Sequence, residues 1–166
     1  MTLQSGQNNA DILLRQVGLA GLVADVFNQL VNGEGSGPNG TTSLFAQRFD
    51  SLADPLGQEF QPGAAQERDQ RMPAAAVLGD NGFVVAWQEG NQSNGQTEIR
   101  AQAYDLFGAA TGGEILVTAP DSGLRTNPSI AGMPDDAFVV TWQSFGQDAS
   151  GWEVFVRHFG ADGVAL

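Results

Sequence analysis

From residue 41 onward, apolar positions come in short bursts separated by breaks rich in Gly, Asn and Asp, and the bursts recur. "FVVAW" (83–87) and "FVVTW" (138–142) are apolar at nearly every position, the pattern of a strand covered on both faces. "LFAQRFD" (44–50), "IRAQAYD" (99–105) and "VFVRHFG" (154–160) alternate instead. Leu44, Ile99 and Val154 take one face, and Phe49, Tyr104 and Phe159 the other. Ahead of the fully apolar runs stand "PAAAVLG" (73–79) and "PSIAGMP" (128–134). Turns at Asp80-Asn81-Gly82 and Asp135-Asp136-Ala137 join each pair, and Asn-Gly suits a hairpin turn that needs positive φ. A fourth strand follows as "GQEFQ" (57–61) or "GEILVT" (113–118). The pattern predicts units of four short strands.

The units are copies. A shift of 55 residues carries Pro73 onto Pro128, Asp80 onto Asp135, Phe83 onto Phe138, Trp87 onto Trp142 and Tyr104 onto Phe159. The same shift carries Phe49 onto Tyr104, Glu59 onto Glu114 and Phe60 onto Ile115. Four strands per unit, covered on both faces at a period near ~50 residues, predict a mainly β fold of propeller-blade-like repeats. A partial unit spans 41–62, and fuller units span 73–118 and 128–166. The expected core is Phe49, Phe83, Trp87, Tyr104, Phe138, Trp142 and Phe159. Two units and a fraction do not close a ring of ~4–8 blades. The chain is therefore expected either to belong to a longer parent or to associate with copies of itself.

Residues 1–40 lack the repeat. In "DILLRQVGLAGLVADVFNQLV" (11–31), Leu13, Val17, Ala20, Val23, Phe27 and Leu30 recur every three or four residues, which predicts a helix. Asn9 or Asp11 would cap its start and Asn32-Gly33 its end. "NGEGSGPNG" (32–40) then reads as a flexible linker. The alternative is a decayed first unit, in which "DILLR" resembles "EILVT" and would donate a fourth strand after Leu166.

"GFVVAWQ", "FVVTWQSFGQDASGWEVFVRHF" and "LFAQRFD…PLGQEFQ" resemble a repeat of very large bacterial extracellular proteins, often beside calcium-binding, type-I-secreted or cadherin-like segments. The likeness covers about residues 41–166. It implies propeller-like blades and a location outside the cell or on its surface, and it is poorly specific for function.

Composition narrows the chemistry. The formal charge of −12 disfavours nucleic acid and anionic membranes as partners. All seven basic residues are Arg, so no lysine serves a Schiff base or a P-loop. With no Cys, thiolate nucleophiles, disulfides and Cys metal sites are excluded. No apolar run reaches the ~18 residues of a membrane-spanning helix. The one histidine, His158, aligns with Arg48 and Ala103, which favours a structural or surface role.

Asp135, Asp136 and Asp148 could offer oxygens to calcium, but their spacing fits no EF-hand loop, and Asp80 and Asp135 suit turn geometry. The other acids read as a solvated surface, with no carboxylate pair placed for glycoside hydrolysis. Trp152 does not recur and sits in a polar loop. With Gln143 and Asp148 it forms the candidate ligand-binding set, since an exposed aromatic can stack on a sugar. No catalytic residues, cofactor or metal are expected. The expected function is a non-catalytic, self-assembling structural module that forms a homo-oligomer; the alternative is a glycan- or protein-binding module of adhesin or lectin type.

Overall fold

The computed structural model describes residues 12–13, 29–36, 41–49, 54–63, 68–79, 82–91, 96–119, 123–146 and 151–166. They form β1 (Ile12–Leu13), β2 (Gln29–Ser36), β3 (Thr42–Phe49), β4 (Pro55–Phe60), β5 (Gln70–Leu78), β6 (Gly82–Asn91), β7 (Gln96–Tyr104), β8 (Ala110–Leu116), β9 (Leu124–Gly132), β10 (Phe138–Phe145) and β11 (Trp152–Phe159). No helix occurs among the described residues. The strands make three antiparallel sheets: sheet 1 in the order β1-β2-β3-β4, sheet 2 in the order β5-β6-β7-β8, and sheet 3 in the order β11-β10-β9. Among the described residues they close no barrel or ring.

The sequence repeat is reproduced rung by rung. Phe83 faces Tyr104 in sheet 2, and Phe138 faces Phe159 in sheet 3. Ala101↔Ile115 in sheet 2 repeats Ala46↔Phe60 in sheet 1. The irregularities repeat as well. Met72 and Asn127 both hold left-handed backbone, with φ of 52° and 53°, inside the bulges that interrupt β5 and β9. Each precedes a proline, and left-handed backbone is uncommon outside Gly, so conservation of this conformation across the copies marks one designed kink rather than two accidents.

A second bulge is bridged the same way twice. Gln102 Nε2 donates to the carbonyls of Ala103 (2.9 Å) and Thr111 (3.1 Å). Gln47 Nε2 does so to Arg48 (2.8 Å) and Leu56 (3.4 Å). In sheet 3, a bridge between Phe159 and Ala165 repeats the first rung of the fourth-strand ladder.

The N-terminal helix is not supported. Ile12–Leu13 and Gln29–Ser36 lie at the two ends of the expected helix, and both are strands. Residues 14–28 lie outside the described residues. The linker reading of 32–40 is also corrected, because residues 32–36 pair along β3 as far as Ser36↔Thr42. Gly and Asn are poor strand formers, but pairing with a committed neighbour overrides a weak β-propensity. Ile12–Leu13 pairs with β2 and not with the strand position after Leu166.

Two apolar layers hold the sheets together. Between sheets 1 and 2, the sheet 2 face carrying Phe83, Val85, Trp87 and Tyr104 covers Leu44 and Ala46. Between sheets 2 and 3, the sheet 3 face carrying Phe138, Val140, Trp142 and Phe159 covers Ile99 and Ala101. Each layer therefore sets rings from the later sheet on small aliphatic groups of the earlier one. The ring pairs match too: Phe83–Tyr104 and Phe138–Phe159 are both stacked at 5.0 Å and 13°. Of the residues expected in the core, Phe49 alone is half-buried and the other six are buried.

Candidate functional site

The outward face of sheet 3 is where the repetition stops. Leu44 and Ile99 are both 0% exposed, whereas Val154, at the same position of the repeat, is 75% exposed. Ala46 and Ala101 are at 1% and 0%, against 66% for Val156. Cross-strand pairing puts Gln143 beside Val154, and Phe145 beside Trp152, on this same face. Phe145 and Trp152 are about half exposed, with ring centroids 5.3 Å apart and planes tilted by 55°. Gln143 is exposed and its Oε1 accepts a hydrogen bond from Asn127 Nδ2 (3.0 Å). So Gln143 and Trp152 share one face, two rungs apart; Asp148 lies outside the described residues. The sequence marked Trp152 but missed Phe145 and the two valines. The repeat pattern alone does not separate the two valines from the sealed positions of the other copies, Ile99 and Ala101.

A second cluster sits on the opposite face of sheet 2. Arg100 gathers three carboxylates: Glu89 on Nε (3.1 Å), Glu98 on Nη2 (2.7 Å) and Glu114 on Nη1 (2.6 Å). The exposed Arg68 adds a second cation on Glu98 (3.0 Å). Glu89 also accepts a hydrogen bond from Trp87 Nε1 (3.4 Å) and is 1% exposed. Burial raises its pKa; the Arg100 charge and the Trp87 hydrogen bond oppose that rise without cancelling it. Burial also works against the Arg100 charge, but hydrogen bonds to Glu98 and Glu114 outweigh it and raise its pKa. The reading of the acids as solvated surface is therefore corrected here. The register shows why: Trp87↔Arg100 and Glu89↔Glu98 are direct neighbours, while residues two apart share a face.

Replacing Glu89 with Gln tests this directly. A carboxyl whose folded pKa is raised binds its proton more tightly in the folded chain. The stabilisation is complete below the unfolded pKa and is lost as pH rises through the folded one. Wild type should thus lose stability relative to Glu89→Gln between acidic and neutral pH. Urea midpoints measured across that range check it; a pH-independent difference counts against a raised pKa.

Asp136 serves the turn before β10. It has φ of 62°, and its N–H donates to Met133 O (3.2 Å). Among the described residues, no group of three or more His, Asp or Glu side chains is arranged to hold a metal. His158 lies on β11, half-buried, and its carbonyl accepts from Leu166 N (3.0 Å).

No family model matches the chain, and no curated protein matches it. Among solved structures, the fold is similar to that of an endo-arabinase from Bacteroides thetaiotaomicron VPI-5482, with a TM-score of 0.56 and 13% identity. The likeness covers 82% of this chain and 54% of that one, so the chain spans about half the length of its structural neighbour. This corrects the expectation that the chain is not an enzyme. That expectation rested on the lack of a recognised catalytic motif, yet the fold is one that an enzyme uses.

Proposed function

We propose that the chain is an assembly module, an arc of propeller-type blades that is completed by receiving a further blade on the outward face of sheet 3. One observation carries the reading: Val154 and Val156 stand open at positions that sheets 1 and 2 seal completely. Each such valine left in water forgoes roughly 1.5–3 kcal/mol of burial free energy, and exposed apolar patches of this kind mark interaction surfaces. The resemblance to repeats of large bacterial extracellular proteins supports a place in a secreted or cell-surface assembly. Light scattering across a wide concentration range tests the reading. A mass above the chain's 17.4 kDa that falls to one chain in Val154→Asp/Val156→Asp supports it. A single-chain mass at every concentration sinks it.

A second reading is carbohydrate-directed. It is favoured by the endo-arabinase likeness and by the exposed Phe145–Trp152 pair. Aromatic faces stack on sugars, so Trp152→Ala should weaken polysaccharide affinity about tenfold, or about 1.4 kcal/mol. Affinity electrophoresis on arabinan and related polysaccharides, with an assay for released reducing sugar, checks it. No retardation together with no turnover removes this reading.

A further inference from the structure

We infer that the blade received by sheet 3 is sheet 1 of a second copy of this chain, so that two chains close on each other through two identical contacts. The inference rests on the assembly reading above and names its partner.

The argument begins with the two joints already present. In each, a face bearing rings settles on the small aliphatic positions of the preceding sheet. An occupant that fits the open face brings rings to it. Sheet 1 offers two on β3: Phe49 stands where Tyr104 and Phe159 stand, and Phe45 stands where sheet 2 has Arg100 and sheet 3 has Phe155, a ring stacked on Trp142 at 5.8 Å and 17°. Tyr104 and Phe159 are buried at 5% and 2%, whereas Phe45 and Phe49 are only half-buried, on the side of β3 opposite Leu44 and Ala46. The chain thus owns both halves of the missing joint, one at each end of the arc.

Charge permits the contact. The receiving positions Val139, Thr141, Val154 and Val156 carry none, so closure buries no carboxylate there despite the net charge of −12. Geometry permits it as well. Two arcs of three sheets give six, inside the range of ~4–8 that closes such a ring. A contact between unlike faces closes when the rotation relating the copies returns to its start, and for two copies that is a two-fold axis.

The test uses the full chain and two face variants, Val154→Asp/Val156→Asp and Phe45→Glu. Near-ultraviolet circular dichroism first verifies that each keeps its native core. The expected wild-type mass is twice 17.4 kDa and does not climb further with concentration. Each variant alone should run as a single chain, with self-affinity weakened at least tenfold. Mixing the two should restore a two-chain species, because the valine variant keeps its sheet 1 face and the Phe45 variant keeps its sheet 3 face. Three results would overturn the inference: a mass that rises without limit, a two-chain species unmoved by Phe45→Glu, or variants that do not complement. With the valine variant still dissociating, those results leave the assembly reading standing. Indifference of the wild-type mass to the valine variant removes both.

Discussion

Trp87→Ala should cost about 4 kcal/mol of stability, within the range for deleting a large buried ring. Trp87 is 0% exposed, lies among Phe83, Val85 and Tyr104, and seals Leu44 and Ala46 beneath it. A Cβ added at Gly63 would stand 2.6 Å from Trp87 Cζ2, so the chain passes directly against the indole. Truncation thus opens a cavity in the one apolar layer that joins sheets 1 and 2 among the described residues. It also takes the indole N–H from Glu89, a buried carboxylate that then relies more heavily on Arg100. Trp152→Ala is the control: that ring is 53% exposed, and its loss should move stability by no more than about 0.5 kcal/mol. Urea denaturation followed by the remaining tryptophans measures both. Equal effects would contradict the packing described here.

Gly82→Ala should cost about 3 kcal/mol, for two reasons that a control can separate. Its φ of +142° is a region where side chains are strained, and a Cβ there would lie 1.9 Å from the Tyr104 carbonyl oxygen. Relief requires β6 to move away from β7 at the rung where Phe83 faces Tyr104, which lies in the core between sheets 1 and 2. Gly112 also has positive φ (+70°), but nothing lies within 4 Å of its added Cβ. Gly112→Ala should therefore cost only the backbone term of about 1 kcal/mol. Thermal unfolding of the two variants gives the difference; if they match, the close approach to Tyr104 carries no energy.

Much of this arrangement was legible in the sequence, and its failures have physical causes. The 55-residue shift located the strands of sheets 2 and 3, because turn residues such as Asp80 and Asp135 and paired rings such as Phe83 and Tyr104 recur together. The same shift could not reveal that the third copy has an open face. "FVVTW" reads as a strand covered on both sides just as "FVVAW" does, yet Val139 and Thr141 are half-buried while Val84 and Ala86 are at 0%. Periodicity records what a position can bury, and it is silent on whether a neighbour is there. The N-terminal misreading has another origin. Leu30, the last position of the helical stripe, lies in β2 and pairs with Arg48 of β3, where the neighbouring strand outweighed the local pattern. The carboxylate cluster escaped because Glu89, Glu98 and Glu114 lie on three successive strands, β6, β7 and β8, and only the register brings them together on Arg100.

The unequal bulk of the two faces has one more consequence. Rings on one side and small aliphatic groups on the other make the two faces of sheet 2 unlike, so its neighbours can stack in only one direction, plug into socket. At the open joint, Thr141 and Val156 replace Ala86 and Ala101. The extra bulk of those two residues would set a wider spacing for any sheet proposed to cover that face, so a few methyl groups decide how closely a further layer can seat.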